Sequence, residues 1–360
     1  MALIRDLRGA PVLVLGGAGF VGSQLVRELL ALECQVAVYD NYLHGSPTHI
    51  EGLEVEAIYG DVLDEWKLLD AFQTVKPRFV FNLVGDTYVP TAYDLPKRFF
   101  RINVEGCLNV LMACRHAPVE RLLHVSSTEV YGRAQRVPMC EDHPLDPANT
   151  YAVSKLAADR LCATFHAEHG TPVLVARIFN CFGPRETEPY VIAEIVTQLD
   201  KGPRVELGNL AAARDFTYVA DTARGLIAAL RSDLPDGQAV NVGTGVAVEI
   251  RELVHRVADI YGYADVEIVV DPRRLRRQDV ELFLCDATRL REATGWRPDV
   301  PLDEGLRRTV AWFREHGRRW VWEDRRGRGH PAVGLVDRRE RQQEEQREGA
   351  DRDAEVAAGS

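Results

Sequence analysis

The feature that most narrows what this chain can become is Gly16-Gly17-Ala18-Gly19-Phe20-Val21-Gly22, set between an apolar run at 11–15 and a helical stretch that begins Ser23-Gln24-Leu25-Val26. Glycines at this spacing let a backbone turn tightly out of a strand and come close to a ligand. The helix that follows offers unpaired N–H groups and a partial positive charge to a phosphate. Strand, turn and helix together predict the first unit of a dinucleotide-binding sheet. The second apolar run, 35–39, ends at Asp40, 24 residues beyond Gly16. A carboxylate there accepts hydrogen bonds from the adenine-side ribose hydroxyls and repels a 2′-phosphate. Asn41, Tyr42 and Leu43 follow with no arginine among them, which favours NAD over NADP. Asp61, after the third run, is placed to hydrogen-bond the adenine ring.

Short β-branched runs at 11–15, 35–39, 54–59, 78–84, 121–126 and 172–178 alternate with helical stretches such as 21–32, 99–115 and 151–169. That alternation predicts an α/β fold, a doubly wound parallel Rossmann sheet. After Gly183 the pieces shorten and turns become frequent, which predicts a smaller α/β substrate-binding lobe. The expected division is a dinucleotide-binding domain over 1–180 with 215–246 returning to it, and the lobe over 181–214 and 247–321. Residues 322–360, dense in Arg, Glu, Asp and Gln, form a tail with too little apolar surface to order itself. The formal charge of −10 argues against a nucleic-acid surface, and no apolar run approaches the length of a membrane helix. The first strand begins too early for a signal peptide. Seven scattered cysteines with no Cys-x-x-Cys pair or Cys/His cluster predict reduced thiols, a cytoplasmic setting and no metal.

Tyr151 and Lys155 are spaced one turn apart on a predicted helix, so both project from one face. A lysine ammonium near a phenol stabilises the phenolate, and the tyrosine can then accept a hydroxyl proton while hydride leaves the same carbon. The fifth strand runs into Ser126-Ser127-Thr128-Glu129-Val130-Tyr131-Gly132 at the carboxyl edge, where doubly wound sheets hold their ligands.

With these motifs, and with Arg177-Ile178-Phe179-Asn180-Cys181-Phe182-Gly183-Pro184 and Arg214-Asp215-Phe216-Thr217-Tyr218-Val219, the chain resembles the extended short-chain dehydrogenase/reductase family of nucleotide-sugar epimerases, dehydratases and decarboxylases over about residues 10–315. The resemblance implies NAD held by Gly16, Gly19, Phe20, Val21, Gly22, Asp40, Asn41, Asp61, Val62 and Leu83, with Lys155 on the nicotinamide ribose and Tyr151 as base. It implies that Ser127, Asn180 and Arg214 hold the nucleotide sugar, with Arg274 or Arg277 as a second phosphate clamp, and that the protein is a homodimer through helices near 99–115 and 151–169. Glu129 implies a 4,6-dehydratase: once carbon 4 is a ketone, a carboxylate must remove the carbon-5 proton while water leaves carbon 6. Dehydratases of dTDP-glucose carry an Asp where this chain has Thr128, so Glu129 is expected to return its own proton to the leaving hydroxyl. The stretches 208–222 and 279–286 are similar to the UDP-N-acetylglucosamine dehydratase branch and lean towards a UDP-hexose. UDP-glucuronate decarboxylases and 4-epimerases remain rivals, and a non-catalytic NAD-binding scaffold is the alternative from another class.

Overall fold

The inner strands of the central sheet send alternate side chains into two different apolar layers. In β1 (Pro11–Leu15), Val12 and Val14 enter one buried cluster and Leu13 and Leu15 the other; in β2 (Gln35–Asp40), Val36 and Val38 part in the same way from Ala37 and Tyr39. A strand covered on both faces reads as an unbroken apolar run, which is why these segments stand out in the sequence. The structure, a computed structural model, describes residues 5–275 and 278–326.

With β3 (Glu56–Tyr59), β4 (Phe79–Asn82), β5 (Arg121–Ser127) and β6 (Val173–Ile178), and with Ala239–Val242 at the edge beyond β6, the seven-stranded sheet has the order β3-β2-β1-β4-β5-β6 outward to Ala239–Val242. All of its pairings are parallel. Helices α1 (Phe20–Ala31) and Val219–Arg231 cover one face. The other face carries α2 (Glu65–Val75), Gly106–Arg115 and Thr150–His169. The order in which successive strands are added reverses between β1 and β4, so the carboxyl edges of these two strands open the crevice in which such sheets bind ligands.

The smaller layer is built on Ala213–Tyr218, which pairs with Asn180–Phe182, Ala247–Glu249 and Leu282–Phe283. Arg204–Leu207 and Glu267–Val270 form a separate parallel pair. Helices Val191–Leu199, Ile250–Tyr261 and Leu302–Glu315 close over a second apolar cluster. Two details differ from the sequence reading. Val280, Phe283, Leu290 and Trp296, expected in the lobe, pack into the core of the large sheet, because helix Thr288–Thr294 lies against Ala239–Val242. Trp322, expected in the tail, is buried against Trp320 with ring centroids 5.1 Å apart and belongs to helix Val321–Arg326. Residues 327–360 of the expected tail lie outside the described residues, as does Arg277. Among the described residues no helix is long and apolar enough to cross a membrane.

Candidate active site

One cavity of about 1890 Å³ runs along the carboxyl edge of the sheet and under the smaller layer. Apart from Arg277, every residue given a role in the sequence analysis lines it.

At the β1–β4 crossing, Gly16 takes φ +79°, and a Cβ there would crowd Val84 N at 3.1 Å. A Cβ at Gly22 would stand 2.1 Å from the Gly16 carbonyl oxygen, so helix and turn can touch only through glycine. Gly19 caps α1 without a side chain, which leaves the first amides of the helix for an anion. Asp40 is buried at the end of β2, its oxygens accepting from Ala18 N at 2.9 Å and Tyr42 N at 2.7 Å. Burial raises its pKa, while these two amides pull it down. Each oxygen keeps a lone pair for a further donor. Asp61 accepts from the Asn41 amide at 2.9 Å and from Leu63 N at 2.9 Å, which fixes both residues at this end of the cavity.

β5 delivers Ser126 and Ser127 to the middle of the cavity, and a 3-10 turn over Thr128–Tyr131 carries Thr128 and Glu129 beyond it. Ser127 Oγ accepts from Glu129 N at 3.2 Å, and Asn149 donates to Glu129 Oε2 at 3.2 Å. Asn149 also caps the helix Thr150–His169 by accepting from Ala152 N at 2.9 Å. One side chain therefore fixes both the start of the Tyr151 helix and the carboxylate facing it. Lys155 Nζ donates to the Val125 carbonyl at 2.6 Å, and burial lowers its pKa to about 8. The expected depression of the Tyr151 phenol by lysine is absent. Burial raises the phenol well above its usual value, with Ser127 opposing and Glu129 and Asp86 adding to the rise.

From the lobe side come Asn180, Arg214 and Arg274. The Arg214 guanidinium pairs with Asp279 at 3.0 Å and lies over the Phe283 ring at 5.1 Å. Half-exposed Arg274 pairs with Glu194 at 3.0 Å. Its carbonyl faces Gly208, where a Cβ would be only 2.5 Å away.

Several residues escaped the sequence reading. Asn103, in a π-helical turn at Arg101–Glu105, accepts from Asp86 N at 2.8 Å and donates to the Asp86 carbonyl at 3.0 Å and to Ser154 Oγ at 2.8 Å. It thereby locks the loop after β4 to the Tyr151 helix. His44 bridges Glu188 at 2.6 Å and Asp86 at 3.3 Å, and Arg98 pairs with the other Asp86 oxygen. Thr87 and Tyr190 share a hydroxyl contact of 2.6 Å. Glu186 is 1% exposed, and neither of its carboxylate oxygens meets a hydrogen-bond partner among the described residues. No spacing rule links positions this far apart. The expectation of no Cys/His cluster is also corrected: Cys107, His124 and Cys162, from three separate elements, bring their sulfur and nitrogen atoms within 4.8 Å of one another behind Lys155.

The family model described as GDP-mannose 4,6 dehydratase matches residues 13–309. The GDP-6-deoxy-D-mannose reductase of Pseudomonas aeruginosa is 35% identical over 303 residues, 82% of this chain and 94% of that protein. The dTDP-glucose 4,6-dehydratase of Streptomyces griseus is 33% identical over 325 residues, 87% of this chain and 96% of that protein. A Thermus thermophilus UDP-glucose 4-epimerase, solved in complex with NAD, superposes with a TM-score of 0.77 at 32% identity, covering 84% of this chain and 98% of the other.

Proposed function

Because the chain belongs to the nucleotide-sugar epimerases and dehydratases of the short-chain dehydrogenase type, we propose that it is an NAD-dependent nucleotide-sugar 4,6-dehydratase of the cytoplasm. The observation that carries the choice of reaction is Glu129, whose carboxylate lines the same cavity as Tyr151 and Lys155, is held by Asn149 and acts electrostatically on the Tyr151 phenol.

The residues present fit NAD: the all-glycine contact between Gly16 and Gly22 leaves a cradle that any Cβ would fill, the uncapped start of α1 suits a pyrophosphate, and the Asp40 carboxylate suits a ribose diol. When bound, NAD would supply the acceptor for the hydride leaving carbon 4 and, once water is lost, the donor that reduces carbon 6 as carbon 5 regains a proton, which leaves the ketone at carbon 4. Tyr151 Oη takes the carbon-4 hydroxyl proton, with the Ser127 hydroxyl holding the same oxygen. Lys155 Nζ, anchored on Val125, supplies the positive charge that a phenolate needs beside it. The Glu129 carboxylate removes the carbon-5 proton, which the neighbouring ketone has made acidic, and passes it to the hydroxyl leaving carbon 6, a task for which the Thr128 hydroxyl is too weak an acid. The lobe closes the cavity and excludes water from the ketone. Arg214 and Arg274 reach the diphosphate by exchanging their carboxylate partners for phosphate oxygens.

Incubation with UDP-glucose, UDP-N-acetylglucosamine, dTDP-glucose, GDP-mannose and UDP-glucuronate, with products read by mass and proton NMR, tests this. A 4-keto-6-deoxy sugar is expected, a UDP-hexose being the favoured substrate. Interconverting carbon-4 epimers would replace the reading with a 4-epimerase, and released carbon dioxide with a decarboxylase. Glu129→Gln should lower turnover by about 10²–10⁴-fold while a transient carbon-4 ketone still forms. Exposed Leu108 and Met112, one turn apart on Gly106–Arg115, support a homodimer through this helix, which sedimentation velocity would report.

A further inference from the structure

Glu186 is an acid in the cavity wall for which the proposed chemistry has no use. It follows the Gly183-Pro184-Arg185 turn, and its nearest cation in sequence is occupied elsewhere: Arg185 donates to Ser23 Oγ at 3.1 Å and to Gln24 Oε1 at 2.6 Å on α1. The side chain is as buried as the sheet core, yet both of its oxygens stand without a hydrogen bond among the described residues. Burial alone drives its pKa well above the ordinary carboxylate range, which favours the protonated acid. A neutral carboxylic acid both donates and accepts a hydrogen bond.

Its surroundings point the same way. Asn180 Oδ1, Thr128 Oγ1 and Ser126 Oγ are likewise buried and unpartnered in the lining of this cavity. Tyr190, in the segment that follows Glu186, shares a 2.6 Å hydroxyl contact with Thr87 after β4, and both residues line the same cavity. Buried polar atoms left unpaired are costly, and several converging on one space are satisfied together by a ligand rich in hydroxyls.

We propose that Glu186 contacts the substrate as a specificity residue, its carboxylic acid exchanging hydrogen bonds with a hydroxyl of the bound hexose. This rests on the reading of the cavity as a nucleotide-sugar site. The test is titration calorimetry on the intact holoenzyme with the preferred nucleotide sugar and, separately, with its nucleoside diphosphate alone. Glu186→Ala should weaken the nucleotide sugar about tenfold and leave the nucleoside diphosphate and NAD unchanged. Glu186→Gln, which keeps a donor and an acceptor in the same place, should stay within about threefold of the parent. Should the alanine variant fail to fold, Glu186→Asp, which withdraws the acid by one methylene, should show the same selective loss. Unchanged affinities, or equal losses for sugar nucleotide, nucleoside diphosphate and NAD, would overturn the assignment. If the unsubstituted protein bound no nucleotide sugar more tightly than the matching nucleoside diphosphate, the site reading itself would fall, whatever the variants did.

Discussion

At Gly22 the first atom of any side chain would lie 2.1 Å from a backbone oxygen, and a backbone cannot rotate out of the way as a side chain can. Gly22→Ala should therefore push α1 away from the turn, weakening NAD at least tenfold and lowering the Tm by several degrees; fluorescence titration and calorimetry check both. This residue was legible in the sequence because its constraint is local: three glycines, a strand before and a helix after suffice to infer the contact. Asp40 and the Tyr151–Lys155 pair were legible for the same reason, each defined by its place on one element. His44, Asp86, Glu186 and Glu188 were not, since what matters about them is which distant residue they face. The hydrogen bond from Lys155 to the Val125 carbonyl was not legible either, since that carbonyl is one backbone group among hundreds.

Among the elements, strands were easier to read than helix details. β1, β2, β5 and β6 stand within a residue of their expected ends because burial on both faces demands continuous apolar runs. The expected helix over 99–115 exists, but nothing in Arg101-Ile102-Asn103-Val104-Glu105 announces a π turn; it serves the reach of Asn103 to the Asp86 backbone. The join between the Tyr151 helix and β6 depends on a buried pair, in which Arg177 donates to the two Asp159 oxygens at 2.8 and 3.1 Å and also lies over the Tyr131 ring. Asp159→Asn should leave an uncompensated guanidinium in the core at a cost of about 3–5 kcal/mol, a Tm loss on the order of 10 °C. Replacing both partners with apolar residues of similar volume should recover most of that loss, as thermal unfolding would show.

For the molecule as a whole, His44 joins the loop after β2 to Asp86 after β4 and to Glu188 in the turn leading to the lobe. Burial alone would lower its pKa, but the hydrogen bonds to Asp86 and Glu188 outweigh burial and raise it from 6.5 to about 9. A group whose pKa rises on folding adds stability that is complete below its unfolded value and vanishes as the pH climbs through its folded value. The Tm should accordingly fall between about pH 6.5 and 9, and His44→Gln should flatten that decline.

Helix α1 has one foot in each apolar layer: Phe20 packs with the lobe, while Leu25, Val26 and Leu29 pack under the large sheet. The dinucleotide cradle is the first turn of that same helix, so whatever steadies this turn also steadies the wall against which the second ligand rests. Energetic coupling of this kind is reciprocal. Stripping the first should therefore loosen the grip on the second by the same factor that the second tightens the first.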